Sequence, residues 1–151
     1  ADRLTQHGST TQGQGYVEAM AAAGLSICEG DIQHGDFSFA SGAAAMERIL
    51  RQPDPPTAII ASNDEMAFAV LHVAADLGMT VPTQLSVVSF DDTPGVRFSV
   101  PPLTAIRQPI STMAETICIK LIRARDGEDV TGDYVLPFDL IERQSTARRR
   151  G

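Results

Sequence analysis

The sequence predicts an α/β fold built on a parallel sheet, and three observations carry that prediction. Two short runs, Thr57 to Ala61 and Ser86 to Phe90, are almost continuously apolar, as expected of strands covered on both faces. Between them residues 65–77 place Met66, Val70, Val73, Ala74 and Leu77 at helical spacing, which makes the unit β-α-β. A composition of 43% apolar but only 5% aromatic residues suits a sheet lined by Val, Ile and Ala. At 151 residues the chain is long enough for one domain with a substantial core.

From the N-terminus, residues 12–23 read as a helix with Tyr16, Ala19, Met20 and Ala23 on one face, stopped by Gly24. An apolar stretch around Ile27 and Ile32 reads as a strand. Gly35-Asp36-Phe37-Ser38-Phe39 turns into a helix carrying Ala43, Met46 and Leu50 on one stripe, and Pro53 breaks it. Ser62 and Glu65 form an S-x-x-E capping box after the 57–61 strand, and Gly78 ends the helix that follows. Beyond Phe90, the prolines 94, 101 and 102 make a loop before the strand Leu103 to Arg107. Pro109 opens a helix whose stripe is Ile110, Met113, Ile117 and Leu121, with Lys120, Arg123 and Arg125 favouring its C-terminal end. Asp126-Gly127 ends that helix. A last run, Tyr134 to Ile141, contains Pro137, which marks an edge strand or bulge.

The crossover in a β-α-β unit is right-handed and makes its two strands parallel. The polar pairs that end them, Asn63-Asp64 and Asp91-Asp92, therefore share one edge of the sheet. In open α/β sheets that edge is where ligands bind. Strand ends stand about 5 Å apart when adjacent and about twice that with one strand between. Either spacing suits a small polar molecule.

Composition narrows the partners. No apolar run approaches the roughly 20 residues of a membrane span, and the chain reads as soluble, with a polar start at Ala1-Asp2-Arg3 that leaves an upstream targeting segment open. A net charge of -7 opposes direct contact with a polyanion, and Arg148-Arg149-Arg150 reads as a frayed tail. Cys28 and Cys118 read as reduced, packed thiols in a reducing compartment. His7, His34 and His72 lack ligand spacing, so no metal site is expected. There is no G-x-S-x-G elbow, P-loop, D-x-D or complete G-x-G-x-x-G. An α/β enzyme using Asp91 and Asp92 as an acid/base pair or Mg²⁺ ligands stays a distant alternative.

The ordered words Gly35-Asp36-Phe37-Ser38, Pro56-Thr57-Ala58-Ile59, Ala61-Ser62-Asn63-Asp64-Glu65-Met66-Ala67, Leu77-Gly78-Met79 and Leu85-Ser86-Val87-Val88 continue into Phe90-Asp91-Asp92-Thr93-Pro94. Pro101-Pro102-Leu103-Thr104, Arg107-Gln108-Pro109, Leu136-Pro137 and Leu140 to Thr146 complete the series. Together they resemble the effector-binding core of the lactose/galactose repressor (LacI/GalR) family, from about residue 8 to 146. The resemblance implies one three-layer parallel-sheet lobe of a periplasmic-binding-protein-like type I fold, with the second lobe largely outside this sequence. Residues 1–108 and 135–147 would form the C-terminal lobe, 109–134 would belong to the N-terminal lobe, and 148–151 would be a tail. Gln108-Pro109 would be a lobe crossover.

By the same resemblance, Asp91 accepts hydrogen bonds from an effector, Asn63 contacts it, Phe37 stacks on it, and Gln108 offers donor and acceptor at the crossover. Each has a plainer reading: an Asx-turn for Asp91, a helix-start residue for Asn63, a core aromatic for Phe37, a backbone bond for Gln108. Asp64 and Asp92 read as local caps, and Phe39 and Phe90 as core. Many relatives carry arginine four residues before the aromatic of the first helix; here that position is Gln12, before Tyr16, and Thr10 replaces a second common arginine. Without that guanidinium fork, a neutral sugar or polyol is the expected effector. The implied protein is a cytoplasmic, homodimeric transcriptional regulator that needs no cofactor and meets DNA only through a helix-turn-helix headpiece absent from this sequence. Residues 65–77 and the Phe98 to Pro102 loop are its expected dimer surface. A transport-type sugar-binding protein of the same fold is the alternative. The 110–121 stripe is expected to pack on a second chain, on the other lobe, or back on its own sheet.

Overall fold

The computed structural model describes residues 2–148, with side chains described from Gln12 onward. Its elements run α1 (Asp2–Ala22), α2 (Phe39–Leu50), β1 (Ala58–Ile60), α3 (Asp64–Asp76), β2 (Ser86–Asp91), a 3-10 turn (Pro94–Arg97), β3 (Thr104–Arg107), α4 (Ile110–Arg125) and β4 (Asp139–Ile141). The sheet has the order β1-β2-β3-β4. β1, β2 and β3 are parallel, whereas β4 runs antiparallel along the far edge of β3. The parallel-dominant open sheet expected from the β-α-β unit is therefore present.

Local chemistry explains most boundaries. Gly24, Gly78 and Gly127 all adopt positive φ just past a helix end, the conformation that only glycine enters freely. Ser38 caps α2 by accepting from the Ser41 amide, and Pro109 stands at the N-cap of α4. The α3 cap differs from expectation. Asn63, not Ser62, sits there in extended geometry, and its side chain accepts from the Met66 amide. Asn63 directly precedes the helix and its Oδ1 takes the amide three residues on, which moves the cap one position beyond the expected Ser62–Glu65 box.

The core lies between the sheet and the α2/α3 pair. Met46, Ala67, Leu85, Val87, Leu103 and Ala105 are fully buried, and α2 meets α3 through Gly42, where an added Cβ would come within 2.8 Å of the Met66 Cα. Ser145 stitches the C-terminal segment to this core. Its hydroxyl donates to the Val87 carbonyl and accepts from the Thr104 amide, while the Ser145 carbonyl accepts from the Val87 amide.

Several expectations fail. The stretch around Ile27 and Ile32 is not a strand but a turn closed by Asp31, whose carboxylate accepts from the Cys28 amide at 2.7 Å; Gly30 at φ +97 and that short-range bond outcompete a ladder. Cys28 and Cys118 are both exposed rather than packed. β1 is an edge strand covered on one face only, so Ile60 is 60% exposed. Phe39 lies on the surface against the His72 ring. α4 has no buried residue, so its apolar stripe does not fold back on the sheet. Arg149 and Arg150 of the expected tail lie outside the described residues.

Candidate functional site

The lip forms where β1, β2 and β3 deliver their C-terminal ends to one edge, and each side chain is placed by the strand or helix end that carries it. β1 neighbours β2, so the Asn63 and Asp91 segments belong to adjacent strands. β3 lies on the other side of β2 in a register that pairs Asp91 with Arg107.

Asp91 and Asp92 leave the strand in an unusual way. Their φ angles are 104° and 59°, and Phe37, across the lip, has φ 66°. Positive φ in non-glycine residues costs about 1–3 kcal/mol each and persists only where surrounding contacts impose it. Here those contacts can be named. Asp91 Oδ1 accepts from Gln108 Nε2 at 2.6 Å. Asp92 Oδ2 accepts from Arg107 Nε at 2.7 Å, and its Oδ1 accepts from Arg143 Nη2. The Phe37 carbonyl accepts from Asn63 Nδ2 at 2.8 Å.

The two adjacent carboxylates have opposite electrostatics. Burial, reinforced by the neighbouring Asp64 carboxylate, raises the Asp91 pKa above the ordinary 3.8, against the lowering pull of Gln108. Burial also acts upward on Asp92, but Arg143 and Arg107 outweigh it and hold that carboxyl below its ordinary value. The Asp92 side chain is fully enclosed and Arg143 is 13% exposed. Asp92 is thus an ion-pair hub joining β2, β3 and the C-terminal segment, not a local cap. Asp64, 3% exposed, is not a local cap either: it accepts from the Thr93 amide at 2.6 Å, 29 residues away in the chain.

Two recesses open on this edge. One of about 610 Å³ is lined by Asp91, Asp92, Arg107, Gln108 and the first turn of α4, including Ser111 and Thr112. The other, about 370 Å³, is more apolar and is lined by Gln12, Phe90, Ile106, Gln108, Met113 and Tyr134, among others. Gln108 borders both. Of the expected site residues, Asp91, Gln108 and Gln12 therefore line open space. Gln12 Nε2 makes a long 3.4 Å bond to the Ser62 carbonyl, and its Oε1 has no partner among the described residues. Both ends of the Asn63 amide are engaged, one capping α3 and one holding the Phe37 loop. Phe37 is half-buried and lines neither recess. Phe90, expected in the core, is half-buried beside Gln12.

Sequence reasoning missed Arg107 and Arg143 as partners of Asp92. The available signal was the matching of two polar pairs, Asp91-Asp92 and Arg107-Gln108, at the ends of two successive strands. Among the described residues no group of three or more His, Cys, Asp or Glu side chains could hold a metal ion.

Comparison with known proteins agrees with this fold. The model of the family described as "Periplasmic binding protein-like domain" matches residues 4–146. The HTH-type transcriptional repressor CytR of Escherichia coli K12 is 37% identical over 134 residues, which cover 88% of this chain and 39% of that protein. Two solved structures superpose with a TM-score of 0.81. The transcriptional regulator CelR–cellobiose complex is 36% identical, covering 87% of this chain and 41% of that one. The lac repressor dimer bound to operator and the anti-inducer ONPF is 28% identical, covering 89% and 46%. The chain spans less than half the length of these relatives. It belongs to the periplasmic binding protein-like domain family, in the form that LacI-family transcriptional regulators carry.

Proposed function

We propose that this chain is the effector-sensing part of a LacI-type transcriptional regulator and binds a small neutral polar ligand, sugar-like, at the Asp91–Gln108 lip. The observation that carries the reading is the hydrogen bond between those two side chains. It joins a strained strand end to the crossover that leads into α4, so a ligand engaging Asp91 also bears on the joint between lobes. Residues 1–108 and 135–147 make the C-terminal lobe in this reading, and 109–134 the edge of the other lobe. Effector binding shifts the relative orientation of the lobes and thereby the fit of linked headpieces to operator DNA. The protein acts in the cytoplasm, where its DNA is.

Gln12 in place of a guanidinium removes one anchor for an anionic effector, and one solved relative is a complex with cellobiose. Homodimerisation uses α3 and the Phe98 to Pro102 loop; Phe98 and Val100 are 82% and 90% exposed there, and one solved relative is a dimer on its operator. The relatives compared are regulators, and no catalytic role is assigned.

The test is a thermal-shift screen of the full-length protein against cellobiose, monosaccharides, polyols, nucleosides and their phosphorylated forms. Ligand at 100 times its dissociation constant adds about 2.7 kcal/mol of stability. A neutral sugar or polyol should raise the melting temperature and alter operator affinity. Stabilisation by phosphorylated compounds alone would count against the reading.

A further inference from the structure

Among the described residues, Arg107 is held by one atom only. Its Nε donates to Asp92, whose other oxygen is taken by Arg143. Among the described residues, the terminal guanidinium nitrogens of Arg107 have no hydrogen-bond partner. The side chain is 42% exposed and lines the 610 Å³ recess beside Asp91 and Gln108. The enclosed Asp92 carboxylate therefore does for Arg107 what a binding site requires: it fixes the orientation of a cationic fork before a ligand arrives.

We infer that Arg107 is a specificity-determining residue of the lip, donating to one hydroxyl of a vicinal pair whose neighbour donates to Asp91. The inference rests on the proposed effector site and names what that site reads. The chemistry is complementary. A guanidinium only donates and an ionised carboxylate only accepts, whereas a hydroxyl does both. Two adjacent hydroxyls thus satisfy Arg107 and Asp91 together, and the Gln108 amide can serve either. A free anion on Arg107 would sit beside the Asp91 carboxylate and be repelled by it. Arg107 in this way supplies from β3 the guanidinium that the Gln12 position lacks.

The experiment is calorimetric titration of the full-length protein, unaltered and as Arg107→Met and Arg107→Lys, with cellobiose, D-ribose, 2-deoxy-D-ribose and inorganic phosphate. Melting temperatures of the unliganded variants record any loss of the Asp92 pair separately. A sugar that binds the unaltered protein should lose about tenfold or more in affinity in both variants, the scale of a charged hydrogen bond. Lysine keeps the charge but not the fork, so Arg107→Lys decides the matter if Arg107→Met does not fold. Affinity retained within twofold, with only the melting temperature lowered, would overturn the role of Arg107 and leave the effector site standing. Binding of phosphate that disappears in the variants would make this an anion site and overturn the inference. No sugar binding by the unaltered protein would overturn both.

Discussion

Asp91 and Asp92 are neighbours in sequence, share positive φ, and have been given opposite tasks by their partners. Asp91 faces the recess with a raised pKa, caused first by burial and then by Asp64. In the proposed site its ionised form accepts effector hydroxyls, so affinity should fall as pH drops through that raised value, above the pH at which an ordinary aspartate titrates. Calorimetric titration across the acidic range checks this, and in Asp91→Asn the pH dependence should vanish. Asparagine tolerates positive φ, so stability should change little while effector binding loses about 1.5–3 kcal/mol. The effect on folding has a definite sign. Between the ordinary value and the raised one, the folded state holds more protons at Asp91 than the unfolded chain does, so Asp91 lowers stability as pH rises through that window. Asp92 does the reverse. Its pKa is lowered by Arg143 and Arg107, so its contribution is complete above 3.8 and is lost as pH falls below it. Removing it in Asp92→Ala leaves the largely buried Arg143 guanidinium unpaired. That should cost about 3 kcal/mol at neutral pH, read from denaturant unfolding, and should flatten the acid limb of the stability profile.

At the scale of elements, the same side chain often fixes a boundary and a loop together, which limits what a linear reading can separate. Asn63 shows this best. Its Oδ1 caps α3 while its Nδ2 holds the Phe37 carbonyl, so Asn63→Ala should cost about 1–2 kcal/mol of stability. Because that amide is committed to the fold, an effector affinity that falls no more than the stability loss explains would separate its positioning role from direct contact. The periodicity of 65–77 and the glycine after it were enough to locate α3 within a residue, because an amphipathic stripe and a left-handed stop are encoded locally. The alternation of strands and helices likewise exposed the sheet edge that carries Asp91 and Gln108. What escaped was the choice between competing local bonds and, beyond that, the non-local pairing. The Ser62–Glu65 box looked complete in sequence, but the Asn63 amide was closer to the helix. Ile27 and Ile32 looked like strand residues, but Asp31 closed a turn between them. The hub at Asp92 needed β2 and β3 in register and Arg143, 51 positions away in the chain, and no spacing rule reports that.

At the scale of the whole molecule, the telling feature is the exposed apolar face of α4. Ile110, Ile117, Ile119, Leu121 and Ile122 are each more than half exposed and Met113 is 37% exposed, and together they cover much of a 16-residue helix. Burying one such side chain fully is worth about 1.5–3 kcal/mol, so a bare helix of this composition is a large unrealised contribution to stability. In the proposed reading α4 follows directly on the crossover at Gln108-Pro109, and we propose that its cover is the other lobe. Hydrogen exchange should show it: in the full-length protein the amides of residues 110–125 should be protected to an extent comparable with α3. In the 151-residue segment alone, α3 should stay protected by its buried face while α4 exchanges rapidly. Ile117→Glu sharpens the comparison, since it should destabilise the full-length protein by about 1.5–3 kcal/mol and leave the segment nearly unchanged. Rapid exchange of α4 in both forms would mean that the helix has no lobe to pack on, and the crossover would then join nothing that an effector at Asp91 could move.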